Sequence, residues 1–204
     1  MAGGWKIIGR DVSVSHVCNV AYHMHRDLPA DNTKRLLGQS KARVAEPFRA
    51  RDADAWVRPV FPVPPPVTAA DVDAAEAALG FAIPPLLRRL YTEVGNGRWG
   101  PVYGLDALPD SGSPPTENDM VGFYLACTAP ERALEAPAVQ WPRGLVRIID
   151  LGCVAFEVCD FLTPPYPVYK LDGDTWGLER PVVEALIPVA PSLAERMEMW
   201  LASS

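Results

Sequence analysis

Four of the seven residues from Phe61 to Val67, FPVPPPV, are prolines. Each removes a backbone donor and fixes φ, so the run can neither continue a helix nor sit inside a sheet. It reads as an extended, semi-rigid spacer. The charge changes at the same place. Residues 1–60 carry ten Lys/Arg and six Asp/Glu, a net of +4, while residues 61–204 carry nine and nineteen, a net of −10. All three histidines, His16, His23 and His25, lie upstream. The expected organisation is a weakly ordered basic segment over 1–60, a proline-rich spacer over 61–67 and a domain over 68–204.

Upstream, VSVSHV alternates like a short strand, and TKRLLGQSKARVAEPF has the composition of a short basic helix. Neither offers a long apolar face. His25–Asn32, HRDLPADN, fits the kinase catalytic loop H-R-D-L-x-x-x-N. A kinase needs roughly twice this length and a D-F-G metal site beyond that loop. The nearest match, Cys159-Asp160-Phe161, is far away and lacks the Gly. The stretch is therefore read as a polar turn, for which Pro29 and Asp31 are suited. His16, Cys18, His23 and His25 match no closed zinc site in their spacing. No metal and no cofactor is expected.

The four cysteines, Cys18, Cys127, Cys153 and Cys159, include no C-x-x-C pair, so reduced, partly buried thiols are expected. No run of about 18 apolar residues is present to span a membrane. The N-terminus lacks the apolar core of a secretory signal, so the expected location is the cytoplasm.

Downstream, periodicity sharpens. In TAADVDAAEAALG, Thr68 and Asp71 stand as a capping box, Val72, Ala75 and Leu79 share a helical face, and Gly80 stops the helix. A second helix begins at Pro84-Pro85, with Leu87, Leu90, Tyr91 and Val94 facing a core and GNG at 95–97 ending it. LVRIIDLG (145–152), CVAFEVCD (153–160) and PVYKLDGD (167–174) read as strands, with Gly152 at the first turn and a shorter strand at MVGFYLA (120–126). TAPERALEA has a second capping box, Thr128 and Glu131, and reads as a short helix. In the closing helix Ser192 and Glu195 form the cap, and Leu193, Met197, Trp200 and Leu201 form an apolar stripe.

The order and spacing of these parts resemble the SUKH superfamily, the Smi/Knr-type domains. The matching residues are Glu76-x-x-Leu79-Gly80, Ile83-Pro84, Leu90, the 95–97 GNG, WPRGLVRIIDLGC from Trp141 to Cys153, PVYKLD from Pro167, and the closing Trp200-Leu201. They cover most of residues 67–203. The chain departs from the family at Val154, where a further Gly is common, in the long polar loop 106–119, and over 1–60. The resemblance implies an α+β fold, with a mixed sheet of about four to six strands flanked by helices. It also implies a protein-binding role. Many bacterial members look like immunity proteins that neutralise toxins, often nucleases, whereas fungal relatives act as interaction modules.

The residues favour binding over catalysis. The domain has no histidine, the commonest general base, and no G-x-S-x-G. Carboxylate pairs such as Asp172 and Asp174, or Glu117 and Asp119, read as solvated turns rather than a glycosidase pair. A net of −10 suits a basic partner and argues against nucleic acid. The expected function is neutralisation of a basic, nuclease-type toxin domain; the alternative is a regulatory or scaffold module of the same fold. The candidate partner-binding residues are Glu117, Asp119, Asp172, Asp174, Trp176 and Trp99, on or beside the loops 106–119 and 172–179. Tyr103 and Tyr166 are further aromatics that fit either an anchor or the core, and Tyr124 is expected in the core.

Overall fold

The computed structural model describes residues 30–45, 62–130, 140–172 and 181–203. Its helices are α1 (Ala30–Ala45), α2 (Ala69–Leu79), α3 (Pro85–Glu93), α4 (Met120–Thr128) and α5 (Leu193–Ala202). Its strands are β1 (Leu145–Gly152), β2 (Ala155–Asp160), β3 (Val168–Asp172) and β4 (Ile187–Ala190). The class is α+β, as the sequence predicts. The four strands form one sheet in sequential order, and every pairing among them is antiparallel. The mixed sheet implied by the resemblance is not what these four strands make: β1 and β2 are joined through Cys153 and Val154 alone, too short a connection for parallel pairing, and β2–β3 and β3–β4 pair antiparallel as well.

Local chemistry sets the helix ends. Thr68 Oγ1 accepts from Asp71 N at 3.2 Å, and Asp71 Oδ2 accepts from Thr68 N at 2.9 Å, completing the capping box. Gly80 closes α2 in the left-handed region, φ 78°. Glu76 then ties the turn together. Its carboxylate accepts from Ile83 N and from Arg88 Nη1, each at 3.0 Å. Leu87, Leu90 and Tyr91 of α3 are fully buried. Ser192 caps α5 by accepting from Glu195 N at 3.1 Å, and Leu193, Met197 and Trp200 enter the core.

Strand β2 shows how the layers stack. Phe156 and Glu157 are neighbours in a regular strand and point to opposite faces. Phe156 meets Phe123 of α4, ring centroids 5.3 Å apart. Glu157 meets Arg196 of α5. The sheet is therefore covered by α4 on one face and α5 on the other.

Two expectations change. Residues 120–126 are helix α4, not a strand. Asp119 accepts from Gly122 N at 2.8 Å as the N-cap, and Met120, Val121, Tyr124 and Cys127 are buried. A segment apolar on every side carries no period that separates a buried helix from a strand. Second, the basic segment is not weakly ordered over 30–45. Helix α1 packs on α3 and α5 and buries Leu36 and Leu37, a narrow apolar contact rather than a long face. It also takes in residues 30–32 of the expected polar turn. The described part of the proline run, 62–66, lies outside helix and strand, and its neighbourhood is tied to the domain. Val67 N donates to Tyr91 O at 3.1 Å, and Asn96 N donates to Pro65 O at 3.2 Å. Of the expected 167–174 strand, Val168–Asp172 is β3 and residues 173–174 lie outside the described residues, as does most of the TAPERALEA helix.

Candidate functional site

Helix α3 ends in the run GNGRWGPVYG, residues 95–104, which folds back on itself. Arg98 N donates to Leu105 O at 2.7 Å, and Leu105 N donates to Trp99 O at 2.8 Å. Gly104 N donates to Pro101 O at 2.8 Å, closing a tight turn with Val102 and Tyr103 at its tip. The returning strand lies along β1: Tyr103 N donates to Asp150 O and Asp150 N to Gly104 O, both at 3.3 Å, and Asp106 N donates to Ile148 O at 2.9 Å. The segment covers the free edge of β1, so its tip is fixed against the sheet.

That tip is strained and exposed. Val102 has φ 51° and Arg98 has φ 60°. Positive φ in a β-branched residue is a genuine outlier and costs about 1–3 kcal/mol. The glycines around it leave no choice of path. A Cβ on Gly104, φ 101°, would stand 2.6 Å from Trp99 N. A Cβ on Gly152, φ 85°, would stand 2.5 Å from the Tyr103 ring. Tyr103 thus lies over the β1–β2 turn, where Cys153 is held at φ 53°. Val102, Tyr103 and Val154 are 44 %, 42 % and 48 % exposed, large for apolar side chains grouped at one end of a sheet. Exposed Asp150 borders them, and Ala155 pairs with Asp172 across β2–β3, bringing that half-buried carboxylate to the same end.

Gly95, Gly97 and Gly100 do have G-x-G-x-x-G spacing. A phosphate loop of that pattern follows a strand and opens a helix. Here it follows α3 and leads into the extended edge of β1, so the glycines serve the turn.

Beneath the platform sits a buried ion pair. Asp106 accepts from Arg147 Nε at 2.5 Å, and the guanidinium stacks 4.0 Å from the Phe123 ring centroid. Burial pushes the Asp106 carboxyl up to about 6, against the lowering pull of Arg147 and with help from Asp150 and Asp119. The Tyr91 hydroxyl, held well above its usual range by burial, donates to Asp106 O at 2.5 Å.

The sequence-predicted residues separate in the structure. Trp99 is buried, donates Nε1–H to Gly95 O at 3.0 Å, and lies 5.8 Å from the Trp200 ring, so it supports the loop rather than the surface. Asp119 is spent on the α4 cap and accepts from Thr116 N at 2.5 Å, so it is not available to a partner. Glu117 is exposed on the polar loop. Asp172 joins the platform, while Asp174 and Trp176 lie outside the described residues. Tyr124 is buried and Tyr166 half-buried, leaving Tyr103 as the exposed aromatic of those three. Val102 and Val154 are not among the residues expected to bind a partner, Val154 standing out only as a departure from the family pattern, because an isolated valine in a sequence shows neither its φ nor its exposure.

Buried Cys159 has its thiol pushed well up by burial and is a packing residue. Among the described residues no group of three or more His, Cys, Asp or Glu is placed to hold a metal ion. No helix of the described residues is long and apolar enough to cross a membrane. Comparison with family models, with curated proteins and with solved structures finds nothing that matches this chain.

Proposed function

We propose that this chain is a SUKH-like protein-binding domain that neutralises a basic, nuclease-type toxin without catalysis. The observation that carries the reading is the braced tip of 98–104. It holds Val102 and Tyr103 in solvent beside Val154, with Val102 in the left-handed region that a β-branched residue rarely adopts. A preformed apolar anchor loses little entropy on binding. The surrounding charge gives direction. With a net of −10 over 61–204, the domain attracts a basic cleft over long range, and Asp150 and Asp172 flank the anchor. The resemblance to the SUKH superfamily supports the same reading.

The test separates steering from anchoring. Asp150→Lys with Asp172→Lys should slow association with the toxin and flatten its salt dependence. Tyr103→Ala should speed dissociation by about tenfold or more, as removal of a central aromatic anchor does. Toxin binding that ignores all three changes would remove this surface from the interface.

A further inference from the structure

The α1 contact has the make-up of an occupied binding groove. Helix α1 contributes Lys34, Arg35, Lys41 and Arg43 against the single acid Asp31, and the acids that meet it are Glu93 of α3, shared with Arg89, and Glu198 of α5. Its centre is two adjacent leucines, Leu36 and Leu37, 1 % and 3 % exposed. Its rim is charged. Glu198 of α5 accepts from Asn32 Nδ2 at 3.1 Å and pairs with Arg35. Glu93 of α3 takes Lys41 at 3.2 Å. Arg43 donates to Leu201 O at 3.2 Å, and its guanidinium carbon lies 5.0 Å from the Trp200 ring centroid. This is the pattern of an amphipathic helix laid into a groove, with apolar anchors inside and complementary charge around them.

The helix is also poorly built to stay. Gly38 sits in its interior, although a Cβ there would meet nothing within 4 Å. Packing does not require that glycine, and it weakens the helix relative to alanine. Ser40 is fully buried, and its hydroxyl finds no hydrogen-bond partner among the described residues. Both ion pairs join side chains about half or one-third exposed, so each adds little.

We propose that the α3–α5 face under α1 is a docking site for a basic amphipathic helix of a partner protein, and that α1 fills it until such a helix displaces it. The partner helix carries two adjacent large apolar residues flanked by Lys or Arg placed to meet Glu93 and Glu198. This binding mode needs only the α1 contact and is separate from toxin neutralisation. Its anchor, Trp200, packs on Trp99, at the root of the 98–104 loop.

The experiment uses the full chain and a fluorescent peptide with the sequence of residues 30–45 as the probe. Leu36→Asp with Leu37→Asp in the chain vacates the groove, and the peptide should then bind at least tenfold tighter than it binds the parent. Glu93→Lys and Glu198→Lys added to that variant should abolish the gain. Gly38→Ala in the chain strengthens the resident helix and should weaken peptide binding about fivefold. Hydrogen exchange on the unaltered chain should show α1 amides exchanging at least tenfold faster than α5 amides, because α1 opens by itself. Four results would overturn the proposal: a folded Leu36→Asp/Leu37→Asp chain with no gain in peptide binding, a chain that unfolds on that change, α1 and α5 exchanging together, or a parent chain that fills the groove with a second copy and sediments as a dimer.

Discussion

Arg196 of α5 grips Glu157 of β2 through two parallel hydrogen bonds, Nε to Oε2 at 2.6 Å and Nη2 to Oε1 at 2.9 Å, with both side chains buried. This pair locks the last helix onto the central sheet in one orientation. Arg196→Ala leaves an unpaired buried carboxylate and should cost about 3–5 kcal/mol in urea unfolding. Arg196→Met with Glu157→Leu should recover most of that loss, because both desolvation penalties disappear together. A double variant as unstable as the single one would show that the geometry, not the unpaired charge, supplies the stability.

Trp200 gives a second packing test. It is 8 % exposed, between Trp99 and Arg43. Trp200→Ala should cost about 3–5 kcal/mol. A double-mutant cycle with Trp99→Ala should show a coupling of about 0.5–1.5 kcal/mol, as expected for an aromatic pair. Additive losses would mean that the two rings support the fold independently.

Asp106 predicts a pH dependence. Its folded carboxyl titrates at about 6, above its ordinary 3.8. The folded state therefore binds the proton more tightly than the unfolded chain does. The contribution is full below pH 4, and stability falls as pH rises toward 6, by up to about 3 kcal/mol. Asp106→Asn should flatten that part of the stability–pH curve. A parent curve rising through the same window would mean that Arg147 outweighs burial and holds the carboxylate ionised.

Val102 tests the strain at the platform. Asn tolerates the left-handed region several-fold better than Val. Val102→Asn should raise stability by about 1 kcal/mol and weaken partner binding, separating the two roles of the position. A loss of stability would show that the valine side chain packs favourably enough to offset its backbone.

The sequence revealed those elements whose chemistry is local. Thr68 with Asp71, Gly80, the paired prolines of α3 and Ser192 with Glu195 each mark a helix end by their own hydrogen bonds or φ. Helix α4 was hidden because seven of its nine residues are apolar and carry no period, and its cap, Asp119, stood in what read as a polar loop. Most of the candidate site was hidden for a different reason. The positive φ falls on Arg98, Val102 and Cys153, residue types that do not advertise it. The close spacing of Gly95, Gly97, Gly100 and Gly104 was the available sign of a tightly folded loop. Trp99 looked as suited to a surface as to a core, and only its contact with Trp200 decides the matter.

The most direct measurement is co-expression with the product of the adjacent gene, scored by cell survival and by binding of the two purified proteins. The account predicts that the neighbour is toxic, that this chain protects, and that the Tyr103→Ala, Asp150→Lys, Asp172→Lys chain folds but protects poorly and binds at least tenfold more weakly. A toxic neighbour that kills equally with and without the parent chain, or a harmless neighbour, would contradict it.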